Sequence, residues 1–400
     1  MRHLATIQKI SKVIPIEGRD RIEQAFINGW SIIVGKGEFK EGDLCVFFEI
    51  DSMLPKIDQF EPVNKRGNRV KTMKLGKTLS QGFAINIETA KCAACALNMR
   101  FPEEYDVGTN LTEVLNVIKW EPESFQPKIS KREHKSFWEW IWRKITLKFH
   151  RPESTEFPTE LVPKSDEERV ENLIESTIPY YSDSKMKFKR TVKMDGASTT
   201  WILFDDRSGW ISKRVEMMCT RNRRVTKESD DYEYMKRISE KTQVFFALEK
   251  LLFRLQYDYQ MNHDIGICDT NVEYIAFQAE LCGPKIQKNE MHLDTEKLFV
   301  YTVYVKTRSK FHKMDPRVFE KFINGENEYL RIVPYIGEST IPKTIDEFYK
   351  DCVCYYDTIE SETADHKLGH ILAEGVVYRN YEKDVSFKCV NPDYLLKHKL

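Results

Sequence analysis

The sequence reads as an α+β protein: a small β-barrel in front of a sheet-rich domain that carries helices. Three observations lead there. The opening stretch is a series of short apolar runs broken by Gly- and Asp-rich turns, the pattern of a small barrel. A later run with strand-like alternation ends at Lys193, and a hairpin pattern follows it. Residues 229–264 carry a helical apolar period.

The front strands are expected at Leu4–Ile7, Ile22–Phe26, Trp30–Val34 and Asp43–Ile50. A basic run follows, with Lys65, Arg66, Arg69, Lys71 and Lys74, and leads into Ser80-Gln81-Gly82. Cations on a small barrel surface can track a nucleic-acid backbone. Residues 116–157 read as a linker rich in proline and charge. Within it, apolar residues at 137, 138, 141, 142 and 145 have a helical period, which predicts a packing helix between domains. Ser165 and Glu168 have capping-box spacing and predict a helix start. Thr199–Phe204 is expected to pair with Gly209–Ser212. Phe245, Phe246, Leu248, Leu251, Leu252 and Leu255 form the expected core face of the later helix.

Composition narrows the function. A chain of 400 residues has room for two or three domains. Lys+Arg and Asp+Glu both number 62, so any nucleic-acid surface must be local. No apolar run reaches membrane-spanning length and no signal peptide is evident, so an intracellular protein, cytoplasmic or nuclear and not secreted, is expected. Nine cysteines without a zinc-ligand frame point to free thiols.

The chemistry centres on Lys189-Arg190-Thr191-Val192-Lys193-Met194-Asp195-Gly196. A lysine at a rigid strand end is well aimed, but it becomes a nucleophile only on losing its proton. Asp195 beside it could hold a metal or its waters, and Gly196 would let the backbone pass a bulky nucleotide. Further on come Glu280-Leu281-Cys282-Gly283, Leu298–Tyr304, Ala373-Glu374-Gly375-Val376 and Ser386-Phe387-Lys388-Cys389. In this order the five stretches resemble motifs I, III, IIIa, IV and V of the covalent nucleotidyltransferases, the RNA ligases, DNA ligases and mRNA capping enzymes. The front module and the Lys164–Leu173 segment resemble Naegleria-type RNA ligases with an N-terminal OB domain.

The resemblance implies an OB-fold domain at 1–115, a linker at 116–157 and an adenylyltransferase domain at 158–400, built of antiparallel sheets with flanking helices around a nucleotide cleft. It implies ATP and Mg²⁺ or Mn²⁺ as cofactors. The partner would be RNA with 3′-OH and 5′-phosphate ends, and the chain a monomer. Lys193 would attack the α-phosphorus of ATP, the AMP would pass to a 5′-phosphate, and a 3′-hydroxyl would displace it. Asp195, Glu280 and Glu374 would serve the metal, and Lys388 the α-phosphate. Tyr301, with Phe299 as the alternative, would stack on adenine. Arg169, Asn172 and Gly196 would also meet the nucleotide. Cys219-Thr220-Arg221-Asn222 resembles motif Ia, with Arg214 competing for the same role. Where some relatives carry a second motif V lysine, this chain has Ser386 and Val390, and Arg379 or Lys383 could substitute. DNA ligases and capping enzymes place an OB domain after motif V, whereas only twelve residues follow Lys388 here. The other alternative is a non-catalytic RNA-end-binding protein, which would need no nucleophilic lysine.

Overall fold

A computed structural model describes residues 3–120, 154–206, 213–258, 263, 265–267, 269, 271–325, 327–356 and 371–399. The Trp-rich linker stretch and Gly209–Ser212 lie outside the described residues.

In the front module every expected strand forms. Ala5–Lys9, Leu44–Phe48 and Phe83–Asn86 make one antiparallel sheet. Lys12–Pro15, Ile22–Ile27 and Trp30–Gly35 make a second, and Thr72–Leu75 pairs with Thr78–Gln81. Among the described residues no strand ladder joins these sheets, so no closed barrel is formed by strand pairing; side chains link them instead, the Ser31 hydroxyl donating to the Leu79 carbonyl at 2.7 Å and the Ile33 N–H to the Ser80 hydroxyl at 3.1 Å. Ile118–Lys119 pairs with Ser52–Met53, which carries the module's pairing past residue 115. The basic run splits by task. Lys65, Arg66 and Lys74 are exposed, but Arg69 is buried. Its guanidinium bonds Asp51 at 2.6 Å and lies 3.2 Å over the Trp120 ring, a fit that a planar cation makes well.

The second half is built on two sheets. The smaller has the order Glu168–Arg169, Val385–Val390, Gly375–Asn380, Lys187–Lys193, Tyr335–Thr340. The larger runs Arg224–Val225, Lys213–Thr220, Ala197–Asp206, Val272–Cys282, Lys297–Thr307, Phe311–Met314, with Leu330–Ile332 also paired to Lys297–Thr307. Pairing is antiparallel except at two short strands, Glu168–Arg169 on Val385–Val390 and Leu330–Ile332 on Lys297–Thr307. Both face a long strand from a connection that never reverses as a hairpin, so parallel pairing is open to them.

The helices Tyr232–Thr242 and Val244–Tyr257 cover the larger sheet. Residues 245, 248, 251, 252 and 255 are buried there as expected, but Phe246 is exposed. Phe245 takes the core side, and its neighbour is turned by about 100° to the other face. Ser165 does not cap a helix. The helix begins at Val170, and the Ser165 hydroxyl bonds that of Ser198 instead, because Glu168–Arg169 is claimed by the sheet.

The two halves share a core. Val390 and Leu395 lie among Ile27, Trp30, Ile32 and Phe47 of the front module. A polar seam accompanies it. The Trp30 indole N–H donates to Asn172 Oδ1 at 2.6 Å, and Asn172 Nδ2 donates to Glu49 at 2.7 Å and Glu168 at 2.6 Å. Gly29 lets its backbone approach Glu171, whose carbonyl accepts its N–H at 2.9 Å and whose Cα would stand 2.9 Å from any Cβ added there.

Asn172→Ala should therefore cost about 1–3 kcal/mol, because it strands the buried indole N–H. Urea unfolding of the full chain checks this. A stability equal to wild type with a weakened nucleotide affinity would instead place Asn172 at the nucleotide.

Candidate active site

The lysine strand belongs to the smaller sheet, and the strand that follows it belongs to the larger. Residues 194–196 make the crossing. Gly196 permits it: a Cβ there would lie 2.5 Å from the Leu281 carbonyl oxygen and 2.7 Å from Cys282 Sγ. The close neighbours there are the Leu281 carbonyl and the side chains of Glu280 and Cys282. The crossing sets Lys193, on one sheet, against Glu280, which is in register with Ser198 and Phe299 on the other.

An open cleft lies between the sheets. Lys193, Glu280, Arg221, Tyr301, Arg379 and Lys388 line it, with Ser165, Asp166 and Glu167 at one side. Lys193 Nζ donates to Glu374 Oε2 at 2.5 Å. Asp195 Oδ2 accepts from the Tyr394 hydroxyl at 2.8 Å. The Tyr356 hydroxyl joins three backbones. It receives the N–H groups of Asp195 at 3.2 Å and Glu374 at 3.4 Å, and donates to the Lys193 carbonyl at 3.3 Å.

The cations of the cleft have carboxylate partners. Asp166 meets Arg221 at 2.9 Å, Lys388 at 3.3 Å and Lys119 of the front module at 3.5 Å. Arg379 is buried and donates to Glu167 at 2.6 Å and Thr191 at 2.8 Å, with its guanidinium 5.3 Å from the Tyr301 ring centroid. The Tyr301 hydroxyl shares a hydrogen bond of 2.9 Å with Ser198.

Burial and crowding perturb these groups. Glu280 is pushed up to about 8, by burial first and by Glu374 and Asp195 next, against the pull of Lys193 and Arg221. Asp195 is raised to about 6, by burial and then by Glu374. Burial draws the Lys193 ammonium down, but Glu374, Glu280 and Asp195 together outweigh it and leave its pKa raised. Lys193 therefore stands among anions, and lysine reactivity by burial alone is not what this cleft provides. Burial also works to raise Glu167, but Arg379 and Lys388 hold it low.

The expected site residues sort into two sets. Lys193, Glu280, Glu374, Asp195, Arg221, Tyr301 and Lys388 converge on the cleft or stand directly behind Lys193. Arg169 and Asn172 face the seam. Arg169 lies 5.7 Å from the Trp30 ring centroid and 4.0 Å from Glu171. Phe299 is fully buried among Val192, Met194 and Val333. Arg214 pairs with Asp205 and Glu249 at the far end of the strand whose last residue, Thr220, precedes Arg221. Among the described residues, no three His, Cys, Asp or Glu side chains form a metal site by themselves. Asp166, Glu167, Tyr356 and Tyr394 were not expected. The acidic pair adjoins a recognisable segment and could have been suspected, whereas the tyrosines carry no sequence signal.

Two sheets around a lysine-and-carboxylate cleft, with a strand-rich module seated on them, define an enzyme of the nucleotidyl-transfer class. Residues 187–390, just over half of the chain, match the family model for RNA ligase, and the chain belongs to that family. Residues 4–87 match a model for an OB-fold domain. Among curated proteins there is no match. The whole chain is similar to solved structures of Naegleria gruberi RNA ligase. With PPi, that enzyme is 24% identical, at a TM-score of 0.72 over 100% of this chain and 99% of that one. A variant of it with ATP and Mn is 25% identical, at 0.71 over 100% and 98%. A further variant, apo, is 24% identical, at 0.71 over 100% and 99%. The front module is thus an OB-fold domain and the second half has the sheet-rich ligase fold. Among the described residues no helix is long and apolar enough to cross a membrane.

The Glu280 shift gives a signed pH test on the ligand-free chain. A carboxyl with a raised folded pKa costs stability as it ionises. Here the loss accrues as pH rises from about 4.5 toward about 8. Glu280→Gln removes that loss. The variant should match wild type in thermal denaturation at pH 5 and exceed it at pH 8. A difference that does not grow with pH would refute the strain at Glu280.

Proposed function

We propose that the chain is an ATP-dependent RNA ligase that joins 3′-OH and 5′-phosphate RNA ends through a lysyl-AMP on Lys193. The observation that carries this is the placement of Lys193. It sits at a strand end, 2.5 Å from Glu374, on the wall of a cleft that also presents Arg221, Arg379 and Lys388. Solved structures of the similar Naegleria gruberi ligase contain ATP with Mn, AMP with Mn, and PPi: the substrate of such a step, the nucleotide it transfers and its leaving group.

In this reading the triphosphate enters the cleft with its α-phosphate toward Lys388 and Arg221, whose charges would stabilise the developing negative charge in displacement. Tyr301 is the aromatic face offered to adenine. Its hydroxyl is fixed by Ser198, and its ring lies near the Arg379 guanidinium. Lys193 passes its proton toward Glu374, the carboxylate it already contacts, and attacks phosphorus as pyrophosphate leaves. The carboxylates Asp195, Glu280 and Glu374 fit Mg²⁺ or Mn²⁺, being hard oxygen donors crowded enough to resist ionisation in two cases. No three of them form a cage, which suits an ion that keeps waters and takes substrate phosphate oxygens. Such a cation, when bound, would supply charge neutralisation and favour the neutral amine. The division into an OB domain at 1–115, a linker at 116–157 and an adenylyltransferase domain at 158–400 is part of the proposal. So is contact of RNA phosphates with exposed Lys65, Arg66 and Lys74. Monomeric action belongs to it too.

Incubation with labelled ATP and Mg²⁺ or Mn²⁺ should add one AMP to Lys193. The adduct should be lost in Lys193→Ala and in Lys193→Arg, since arginine keeps its proton. Label on another lysine, equal labelling from GTP, or RNA-end binding without any adduct would each overturn the reading.

Arg221→Ala should slow adduct formation on the order of a hundredfold, as loss of one electrostatic donor to the transition state does. Arg214→Ala should be within twofold of wild type, given its pairing with Asp205 and Glu249. Rates from single-turnover labelling separate the two.

A further inference from the structure

The helix Pro392–His398 touches two parts of the molecule that the proposed reaction treats separately. Leu395 is buried in the core of the front module with Trp30, Ile32 and Phe47. Tyr394, one residue earlier, is fully buried and turns the other way, donating to Asp195 Oδ2 at 2.8 Å. The helix is held in place around that contact. Asn391 caps it by accepting the Asp393 N–H, and the Asn391 N–H donates to the Glu374 carbonyl at 2.9 Å. The Tyr394 ring packs on His398 with centroids 4.3 Å apart, and His398 Nδ1 lies 2.9 Å from Glu290.

We propose that Tyr394 is a positioning residue for Asp195. An aspartate on a short crossing between two sheets can turn about its side-chain bonds. A buried hydroxyl bonded to one oxygen removes that freedom and fixes the direction in which the carboxylate presents its remaining lone pairs. Hydrogen bonds to ligating carboxylates have this effect on metal sites generally, and losing one typically weakens metal binding or activity by roughly 10–100-fold. The neighbouring Leu395 makes the seating of the front module part of the same arrangement. The helix that fills the module's core is thus the one that orients the carboxylate. The inference rests on the proposed service of Asp195 to a divalent cation, and adds to it a residue and a route.

The test uses the full chain and Tyr394→Phe, which keeps the ring and its packing and removes only the hydroxyl. Mn²⁺ affinity is measured from the free-ion electron-spin signal in the presence of α,β-methylene-ATP, and alongside it the Mn²⁺ concentration giving half-maximal adduct formation. Tyr394→Phe is expected to raise both by about tenfold, with the maximal rate recovered at saturating Mn²⁺. In an Asp195→Asn background the same change should add nothing further. Unchanged Mn²⁺ affinity in Tyr394→Phe, or an equal loss in the Asp195→Asn background, would show that the tyrosine only fills the core. If the wild-type chain forms no AMP adduct and binds no Mn²⁺, the functional reading falls and this inference with it. Normal wild-type adduct formation beside a silent Tyr394→Phe removes the role of Tyr394 alone.

Discussion

One ammonium group makes the cleft possible. Asp195, Glu280 and Glu374 are gathered where two sheets face each other, and burial there disfavours the ionised forms of Asp195 and Glu280. Lys193 is the counter-charge that lets them share the space. Its proton is held by the anions that hold its position. In the proposed reaction, neutralising those carboxylates and freeing the amine are therefore one event. The geometry that brings the charges together is backbone geometry. A glycine at the crossing lets two sheets touch, and one tyrosine hydroxyl joins the lysine, aspartate and glutamate segments.

The front module is part of this construction. Apolar residues from the last strand and helix are buried within its core, and Asn172 makes two hydrogen bonds across the seam, to Trp30 and Glu49. A buried indole N–H and a carboxylate on one side need partners from the other, so separating the halves would expose apolar surface and strand polar groups together. The module's relation to the cleft is consequently set by packing. Lys119, at the end of its chain path, reaches the acidic residue that also meets Arg221 and Lys388.

Much of the cleft could be read in the sequence because its residues lie in short segments whose order is informative. Lys193, Glu280, Glu374 and Lys388 are each fixed by neighbours along the chain, and alternation along strands then decides which side chains face the cleft. That rule cannot separate Tyr301 from Phe299, which are two apart and fall in one apolar cluster; the register shift that skips Tyr301, opposite Gln278 and Ala279, is what distinguishes it, and no sequence signal announced it. Contacts made over long sequence distances were not legible. Arg169 and Asn172 adjoin the right segment, and nothing in the sequence announced their contacts with the Trp30 side chain more than a hundred positions away. Ser165 had capping spacing, and a two-residue strand pairing overrode it. Arg69 looked like one more surface cation, and Asp51 with Trp120 made it a buried one. Phe246 was assigned to the core by a period that tolerates an error of one residue.

Asp166 has a consequence for how any anion enters the cleft. Its carboxylate already stands against Arg221 and Lys388, so the cations are not waiting among mobile salt ions. Entry of a polyanion is then a substitution of one fixed charge for another. Binding reactions that expel loosely held ions owe much of their drive to dilution of those ions, and weaken steeply as salt rises. A cleft with a built-in counter-ion has fewer such ions to expel. Its occupancy should respond to added salt far less than its count of lysines and arginines implies, while the displaced carboxylate becomes a new acceptor at the rim, beside the front module's Lys119.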